Sequence, residues 1–349
     1  MDAIVSVIIP HYNNSKILIE CISSLYKSTF KKLEIIVIDN ASTDSSYNDI
    51  ITFSSDVIVK KSDINLGYAG GCNLGAQIAK GKYLLFLNND TIMNKNCIEI
   101  LVNRLEKKSK ISSVQPKILN INKKSYFDYA GASGGFIDYM VFPFTRGRIF
   151  NSIEKDQGQY ESPMKIFWAS GAGFLTRKDI FKKVEGFDSN LFSHMEEIDY
   201  HWKCYLSNYE VWVEPKAKLY HHGGKTLPMN SPKKTYYNHR NSMILLLSNY
   251  SLINSVFFFL LRLPLEFISS IKELATFRFK HFINHYVALL WILFHPKIII
   301  QRRSLIKKNR CINDAELFNK GVLFNKSIVI NYFLFRKKKY IDLKFLTEE

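Results

Sequence analysis

Three short stretches carry residue types that can do chemistry. Lys82 to Asp90 reads KYLLFLNND, an apolar run from Tyr83 to Leu87 that stops abruptly at Asn88, Asn89 and Asp90. A carboxylate beside two amides, just beyond a buried strand, can hold a hard cation such as Mg2+ or Mn2+. An Asn/Asp turn closing the strand is the plainer alternative. Leu191 to Asn208 reads LFSHMEEIDYHWKCYLSN, with Ile198, Trp202, Tyr205 and Leu206 at helical spacing for a core face. Ser193 and Glu196 have the spacing of a capping box. Glu197 falls in the first helical turn, off the apolar stripe, where the helix dipole favours the ionised form a general base needs. A solvated surface carboxylate remains the alternative there. Glu210 to Thr226 reads EVWVEPKAKLYHHGGKT, a strand leading to His221 and His222 before two glycines. A neutral imidazole at that point can complete a metal site begun by Asp90.

The elements that must position these residues follow a βα rhythm from residue 3 to about 116. AIVSVIIP, LEIIVID (Leu33 to Asp39), DVIVKK (Asp56 to Lys61), KYLLFL and ISSVQPK (Ile111 to Lys117) read as five strands. Ile17, Leu18, Cys21, Ile22 and Leu25 make one face of an intervening helix. The fold class is therefore α/β, a doubly wound mixed sheet. Its first four strands each run into a polar loop: HYNN, DNASTDSS, NLGYAGGCNLG and NND. Such loops on one sheet edge make a nucleotide pocket. The glycines at 67, 70, 71 and 75 lack the G-x-G-x-x-G order, and are read instead as admitting a diphosphate to a helix beginning near Gly70. ASGAGFLT (Ala169 to Thr176) reads as a further strand, and residues from about 125 to 165, with Arg146 and Arg148 among glycines, as a mobile loop near an anionic ligand.

The composition fits these elements. A chain of 349 residues can bury a sizeable core, and a formal charge of +17 favours anionic partners. The five cysteines show no metal-ligand spacing and read as free thiols in a reducing compartment. The first apolar run is too short for a signal peptide, so the expected location is cytoplasmic. Nucleic acid is excluded as a partner because the charge gathers around apolar helices rather than along a recognition motif. A nucleotidyltransferase would carry a glycine-rich loop with a basic residue after its first strand, and HYNN has neither.

Taken in order, VSVIIPHYN, IIVIDNASTD, NLGYAGGCN, LLFLNND, GAGFLTRKDIF with GFD following, EEIDYHWK and LYHHGGKTL make residues 3 to 245 resemble the family-2 glycosyltransferases of GT-A fold, especially their rhamnosyltransferase-like branch. The resemblance implies an inverting, metal-dependent transferase that moves a sugar from a nucleotide-diphosphate sugar to a hydroxyl of a glycan acceptor. It implies that Asp39 contacts the base or ribose, with Asn65 lining the same pocket. Pro10, Tyr12, Gly70, Asn88, Asn89 and Arg240 belong to the same donor site. Asp90 is then the metal aspartate of a DxD-like motif, and His221, or as second choice His222, helps hold the metal or diphosphate. Glu197 is the general base, with Glu196 and Asp199 as neighbouring acids. Two departures stand out: the motif reads NND, so Asn88 supplies no carboxylate, and the acid pair reads EE, a base one methylene longer.

This reading divides the chain into a GT-A domain at 1–230, with halves at 1–117 and 118–230, and a basic helical region at 231–349. There VFFFLLRLPLEFI and YVALLWILFHPKIII are intensely apolar, yet charge or proline interrupts each before the ~18 residues of a spanning helix. Basic residues around such helices fit an element lying on anionic lipid at the inner face of the cell membrane, with a lipid-linked acceptor. A helical subdomain packed on the sheet is the alternative for this region. A non-catalytic sugar- or nucleotide-binding accessory protein is the alternative for the whole chain.

Overall fold

The computed structural model describes residues 5–223 and 230–343. The second glycine of the His-His-Gly-Gly turn and the end of the LYHHGGKTL motif, together with the extreme tail, lie outside the described residues.

The chain begins with β1 (Val5–His11), α1 (Ser15–Tyr26), β2 (Leu33–Asn40), α2 (Ser46–Phe53), β3 (Val57–Ser62), α3 (Gly67–Ile78) and β4 (Tyr83–Leu87). β5 (Thr91–Met93), α4 (Cys97–Glu106) and β6 (Ile111–Asn120) follow. Strands β3, β2, β1 and β4 lie side by side and parallel. Their side chains divide by the strand period of two. Val5, Val7 and Ile9 enter the core beneath α1 and α4, while Ile8 enters the one shared with α3. Tyr83, Leu85 and Leu87 divide the same way from Leu84 and Phe86. Burial on both faces explains the unbroken apolar runs in the sequence. Gly75 seats α3 against β1, since a Cβ there would lie 2.4 Å from Ile8 Cγ2.

Residues 125 to 165 do not form the expected loop. They contain β7 (Gly135–Asp138), β8 (Pro143–Thr145), β9 (Arg148–Ile149), β10 (Ser152–Ile153) and β11 (Met164–Lys165). Strands of two to four residues are too short to show an alternation in the sequence. Next come β12 (Gly173–Arg177), α5 (Lys178–Lys183), α6 (Glu196–Leu206) and β13 (Glu210–His221). β12 runs antiparallel between β4 and β6, and β13 lies parallel to β6 with β5 and β11 on its outer edge. The sheet is thus mixed and doubly wound, as the sequence indicates. The expected strand from Ala169 is shorter, because Ala169–Ala172 turn away. The Ser170 N–H donates to Gln115 Oε1 at 2.7 Å and the Ala172 N–H to Ser170 Oγ at 3.2 Å.

The rest is mainly helical: α7 (Pro232–Asn249), α8 (Leu252–Ala275), α9 (Phe279–Phe294), α10 (Pro296–Asn309), α11 (Asp314–Asn319), β14 (Leu323–Phe324) and α12 (Ile328–Phe333). β14 pairs with β7, so this region completes the small second sheet. α8 runs unbroken for 24 residues through Arg262 and Pro264, where the sequence pointed to an interruption. Arg262 causes no break because it turns inward, donating to Glu266 Oε1 at 2.8 Å, Met140 O at 2.8 Å and Ser242 Oγ at 2.7 Å. The outward face is left apolar, with Ile253 82% and Phe257 54% exposed.

Candidate active site

The metal-binding candidates meet at the carboxyl edge of the sheet. β4 ends at Leu87 and delivers Asn88, Asn89 and Asp90, while β13 ends at His221. His221 Nε2 lies 3.1 Å from Asp90 Oδ1 and 3.5 Å from Asn88 Nδ2. On its other side, His221 Nδ1 donates to Asp128 Oδ1 at 2.8 Å. Burial acts to lower the His221 pKa, but Asp128 and Asp90 outweigh it and push it up to about 10. Burial acts to raise that of Asp90, and the hydrogen bond and charge of His221 hold it below the ordinary carboxylate range. Asp128 escaped the sequence reading. It stands at the start of the poorly patterned segment, and no local motif links it to a histidine 93 residues away. His222 turns aside, its Nε2 4.0 Å from Glu20.

The donor set of carboxylate, imidazole and side-chain amide fits a divalent cation such as Mg2+ or Mn2+. With its pKa raised, the His221 ring is an imidazolium that donates to both carboxylates rather than the neutral imidazole expected. A bound cation would displace the Nε2 proton, while Asp128 would keep the Nδ1–H and the ring's orientation.

Beside this group, β1 and β2 bring His11 and Asp39 into register as partners. Asp39 is wholly buried. Its Oδ1 accepts from the Ser42 N–H at 3.2 Å, and Oδ2 has no partner among the described residues. His11 is also buried, its Nδ1 2.9 Å from Asn89 Nδ2 and its Nε2 unpartnered. Burial depresses its pKa to about 4. A buried carboxylate oxygen without a donor is costly unless a ligand supplies one. Tyr12 is exposed and Pro10 half-buried on the same edge. Asn65 is exposed, and its Oδ1 accepts from the Gly67 N–H at 2.9 Å. Gly67 takes a φ of +68°, so α3 begins there and Gly70 lies inside its first turns. The expected start near Gly70 is therefore three residues late.

The acid pair opens α6. The capping box expected from Ser193 and Glu196 does not form: Met195, in left-handed conformation, precedes the helix without a side-chain cap. Phe192, His194 and Met195 all have positive φ, between +58° and +73°. Asn241 of α7 holds this strained loop by donating to the carbonyls of Leu191, Ser193 and His194 at 2.7–3.0 Å. Arg240, expected at a phosphate, donates to the carbonyls of Asn190 and Leu191 at 2.8 and 3.4 Å. Glu196 is buried, Glu197 half-buried, and one oxygen of each lacks a partner among the described residues. Burial pushes Glu197 up to about 7, and burial with the Glu197 charge pushes Glu196 well up. Desolvation thus overrides the helix dipole that the sequence argument relied on. Asp199 faces away from this pair, wholly buried, on Arg302 at 2.6 Å and Lys203 at 3.3 Å. Burial would raise its pKa, and the two cations hold it low instead.

The turn at 169–172 joins the two groups. The Ala172 carbonyl accepts from the Asn88 N–H at 3.1 Å, while the Gly171 N–H donates to the Glu197 carboxylate. Tyr68 of α3 clamps the same turn, its hydroxyl 2.7 Å from Gly171 O. A cavity of about 370 Å³ lies behind α6, but its charged groups Asp188, Asp199, Lys203 and Arg302 are already paired with one another.

The sequence profile of glycosyl transferase family 2 matches residues 6–185 of this chain. The chain belongs to that family. It is 32% identical over 226 residues to the glycosyltransferase GlyG of Streptococcus pneumoniae, covering 63% of this chain and 71% of GlyG. It is 25% identical over 221 residues to the poly-beta-1,6-N-acetyl-D-glucosamine synthase of Staphylococcus epidermidis, covering 61% of this chain and 48% of the synthase. The chain thus spans about half the length of that relative. In fold, this family-2 chain is similar to GalNAc-T7 crystallised with UDP, GalNAc and Mn2+, with a TM-score of 0.55, 18% identity, and coverage of 69% of this chain and 47% of the other. It is also similar to the mannosyltransferase PcManGT of Pyrobaculum calidifontis in complex with GDP-Man and Mn2+, with a TM-score of 0.52, 13% identity, and coverage of 82% and 87%. The architecture is therefore GT-A, with a helical C-terminal region.

Proposed function

We propose that this protein transfers a sugar, with inversion, from a nucleotide-diphosphate sugar to a hydroxyl of a glycan acceptor in cell-surface polysaccharide synthesis. The observation that carries the proposal is the paired arrangement at the sheet edge: Asp90 on His221, and across the 169–172 turn the Glu197 carboxylate, one oxygen of which has no partner among the described residues. The nucleotide would lie over β1 and β2, with Asp39 Oδ2 accepting from the base or ribose, and Asn65 and Tyr12 beside it. Asp90 and His221 would hold a divalent metal, with Asn88 beside them. When bound, it supplies Lewis-acid neutralisation of the diphosphate. Glu197, whose pKa near 7 suits proton exchange at neutral pH, takes the proton of the acceptor hydroxyl as that oxygen attacks the anomeric carbon. Burial sets that pKa, the Glu197 charge in turn pushes Glu196 up, and Asn241 and Arg240 fix the loop that aims the pair.

A deoxyhexose such as rhamnose from dTDP-rhamnose is the donor that the resemblance to the rhamnosyltransferase-like branch favours, with UDP- and GDP-hexoses as the other classes. The acceptor is proposed to be lipid-linked. α8 is long and apolar enough to cross a membrane by length and composition, and only 17% of its most apolar stretch is buried. Residues 231–349 hold 20 Lys and Arg against 7 Asp and Glu. An apolar helix face beside such charge suits an anionic lipid surface, on which the protein would sit peripherally. The test of catalysis is Glu197→Gln. It should bind donor as the wild type does and lose transfer by orders of magnitude; near-normal turnover removes Glu197 from the role.

A further inference from the structure

Three helices of the C-terminal region each send one metal-ligating side chain to a common point. His239 comes from α7, Glu266 from α8 and His285 from α9. His239 Nδ1 lies 2.6 Å and His285 Nδ1 3.3 Å from the same oxygen, Glu266 Oε2. The two imidazole rings stand 3.9 Å apart, centre to centre. One ligand atom from each of the three residues falls within 4.8 Å of the other two. No local motif announces the group, because Glu266 is 27 residues from His239 and 19 from His285.

The surroundings favour an ion over a plain hydrogen-bond network. Glu266 is 3% and His285 2% exposed, and His239 is half-buried. Arg262 already pairs with the other carboxylate oxygen, Oε1, at 2.7–2.8 Å. One carboxylate needs no more than that to be neutralised, yet two further imidazoles from separate helices turn on its second oxygen. Placing both there costs desolvation that a shared ligand repays. A cavity of about 190 Å³ opens against Glu266 and His285, with Leu263, Phe267 and Leu289 among its walls.

We propose that His239, Glu266 and His285 bind Zn2+, each imidazole through Nδ1 and the carboxylate through Oε2. Two imidazoles and a carboxylate form a zinc donor set that leaves a fourth position for water, and the cavity has room for it. In a tetrahedral site with bonds of about 2.0–2.1 Å, neighbouring ligand atoms lie about 3.3 Å apart. The Glu266–His285 spacing already has that value, and His239 must retreat by less than about 1 Å. Both nitrogens ligate as neutral imidazole, so an Nδ1 proton leaves as the ion enters. Arg262 becomes the outer donor that holds the Glu266 carboxylate in place. The ion pins α7 to α8 and α9 at the residue directly before Arg240 and Asn241, which hold the loop carrying the acid pair. The site shares no residue with the Asp90–His221 group and does not rest on the glycosyltransferase reading.

The probe is Co2+, a spectroscopic stand-in for Zn2+, titrated into the metal-stripped full chain carrying Asp90→Ala so that the sheet-edge group is disabled. The expected result is a single bound ion with the intense visible bands of four-coordinate Co2+, lost when Zn2+ is added. Zn2+ should also raise the melting temperature of that protein. In His239→Gln and His285→Gln, each added to Asp90→Ala, Co2+ affinity should fall about tenfold or more. Glutamine keeps an N–H donor for Glu266, so both variants should melt as their parent does without metal, which separates loss of the ion from loss of the fold. Co2+ binding in wild type that vanishes in Asp90→Ala would give the ion to the sheet edge and overturn the proposal. No binding to any of these proteins, or equal binding with and without the two histidines, would overturn it as well.

Discussion

Asp128 offers the sharpest test of how the proposed metal group is organised. It touches His221 and not the proposed metal position, so its effect must travel through the ring. Asp128 Oδ1 accepts both from His221 Nδ1 and from the Ala130 N–H at 2.8 Å. Asp128→Asn keeps an oxygen able to accept both bonds and removes only the charge. Asp128→Ala removes the bond and frees the ring to rotate. Outer-sphere carboxylates of this kind are worth about 10–100-fold in metal affinity, or about 1.4–2.8 kcal/mol. The asparagine variant should fall near the lower figure and alanine near the upper. Mn2+ titration followed by electron paramagnetic resonance reads the dissociation constant directly, without needing an acceptor. Mn2+ bound by Asp128→Ala as tightly as by wild type would refute the argument that this carboxylate orients His221.

Arg302 neutralises Asp199 and Asp188 together, so Arg302→Met should lower unfolding free energy by about 3–5 kcal/mol, because it strands a buried charge; a denaturant midpoint close to wild type would contradict this. Asp138 accepts from the N–H groups of Met140, Phe142 and Ile328 at 2.9–3.0 Å, tying the small sheet to α12. Asp138→Ala should cost about 3 kcal/mol or more for three stranded donors, read from the same kind of denaturation curve. Glu197 must be deprotonated to act as a base, and burial sets its pKa near 7, so kcat/KM should rise as pH passes from 6 to 8. A flat profile over that range argues against Glu197 as the base. Because ionising this buried group in the folded state is unfavourable, its contribution to stability has the opposite sign: it is greatest below the unfolded pKa near 4.5 and is lost as pH rises through about 7. Ile253→Glu with Phe257→Glu on the exposed face of α8 should release the protein from anionic vesicles without changing its melting temperature; unchanged co-sedimentation sinks the membrane reading.

The parallel half of the fold was legible because β1, β2 and β4 are buried on both faces, which writes each as a continuous β-branched or aromatic run, while the edge strand β3 is shorter and half exposed. Asn88 to Asp90 and His221 were legible because they interrupt such runs at the sheet edge. The second sheet was not, since two-residue pieces such as Arg148–Ile149 and Ser152–Ile153 carry no period. Nor was the protonation of the acid pair. A helical wheel places Glu197 off the core stripe, but α6 is covered on nearly all sides, with Asp199, His201 and Lys203 buried as well. Arg262 misled in the other direction: its charge reads as a break in an apolar run, while in the fold it points inward and leaves the outer face of α8 unbroken. Asp128 and Asn241 could only be found in three dimensions, because each acts on a partner roughly 50 to 90 residues away.

The most direct test of the central claim is a thermal-shift panel of UDP-, GDP- and dTDP-sugars, each with and without Mn2+ or Mg2+, on wild type and Asp90→Ala. A ligand that binds only the folded chain raises its stability in proportion to the logarithm of concentration over dissociation constant. The account predicts stabilisation by one nucleotide class that requires metal and is lost in Asp90→Ala. Well-folded protein that responds to no nucleotide sugar, or responds equally without Asp90, would contradict it.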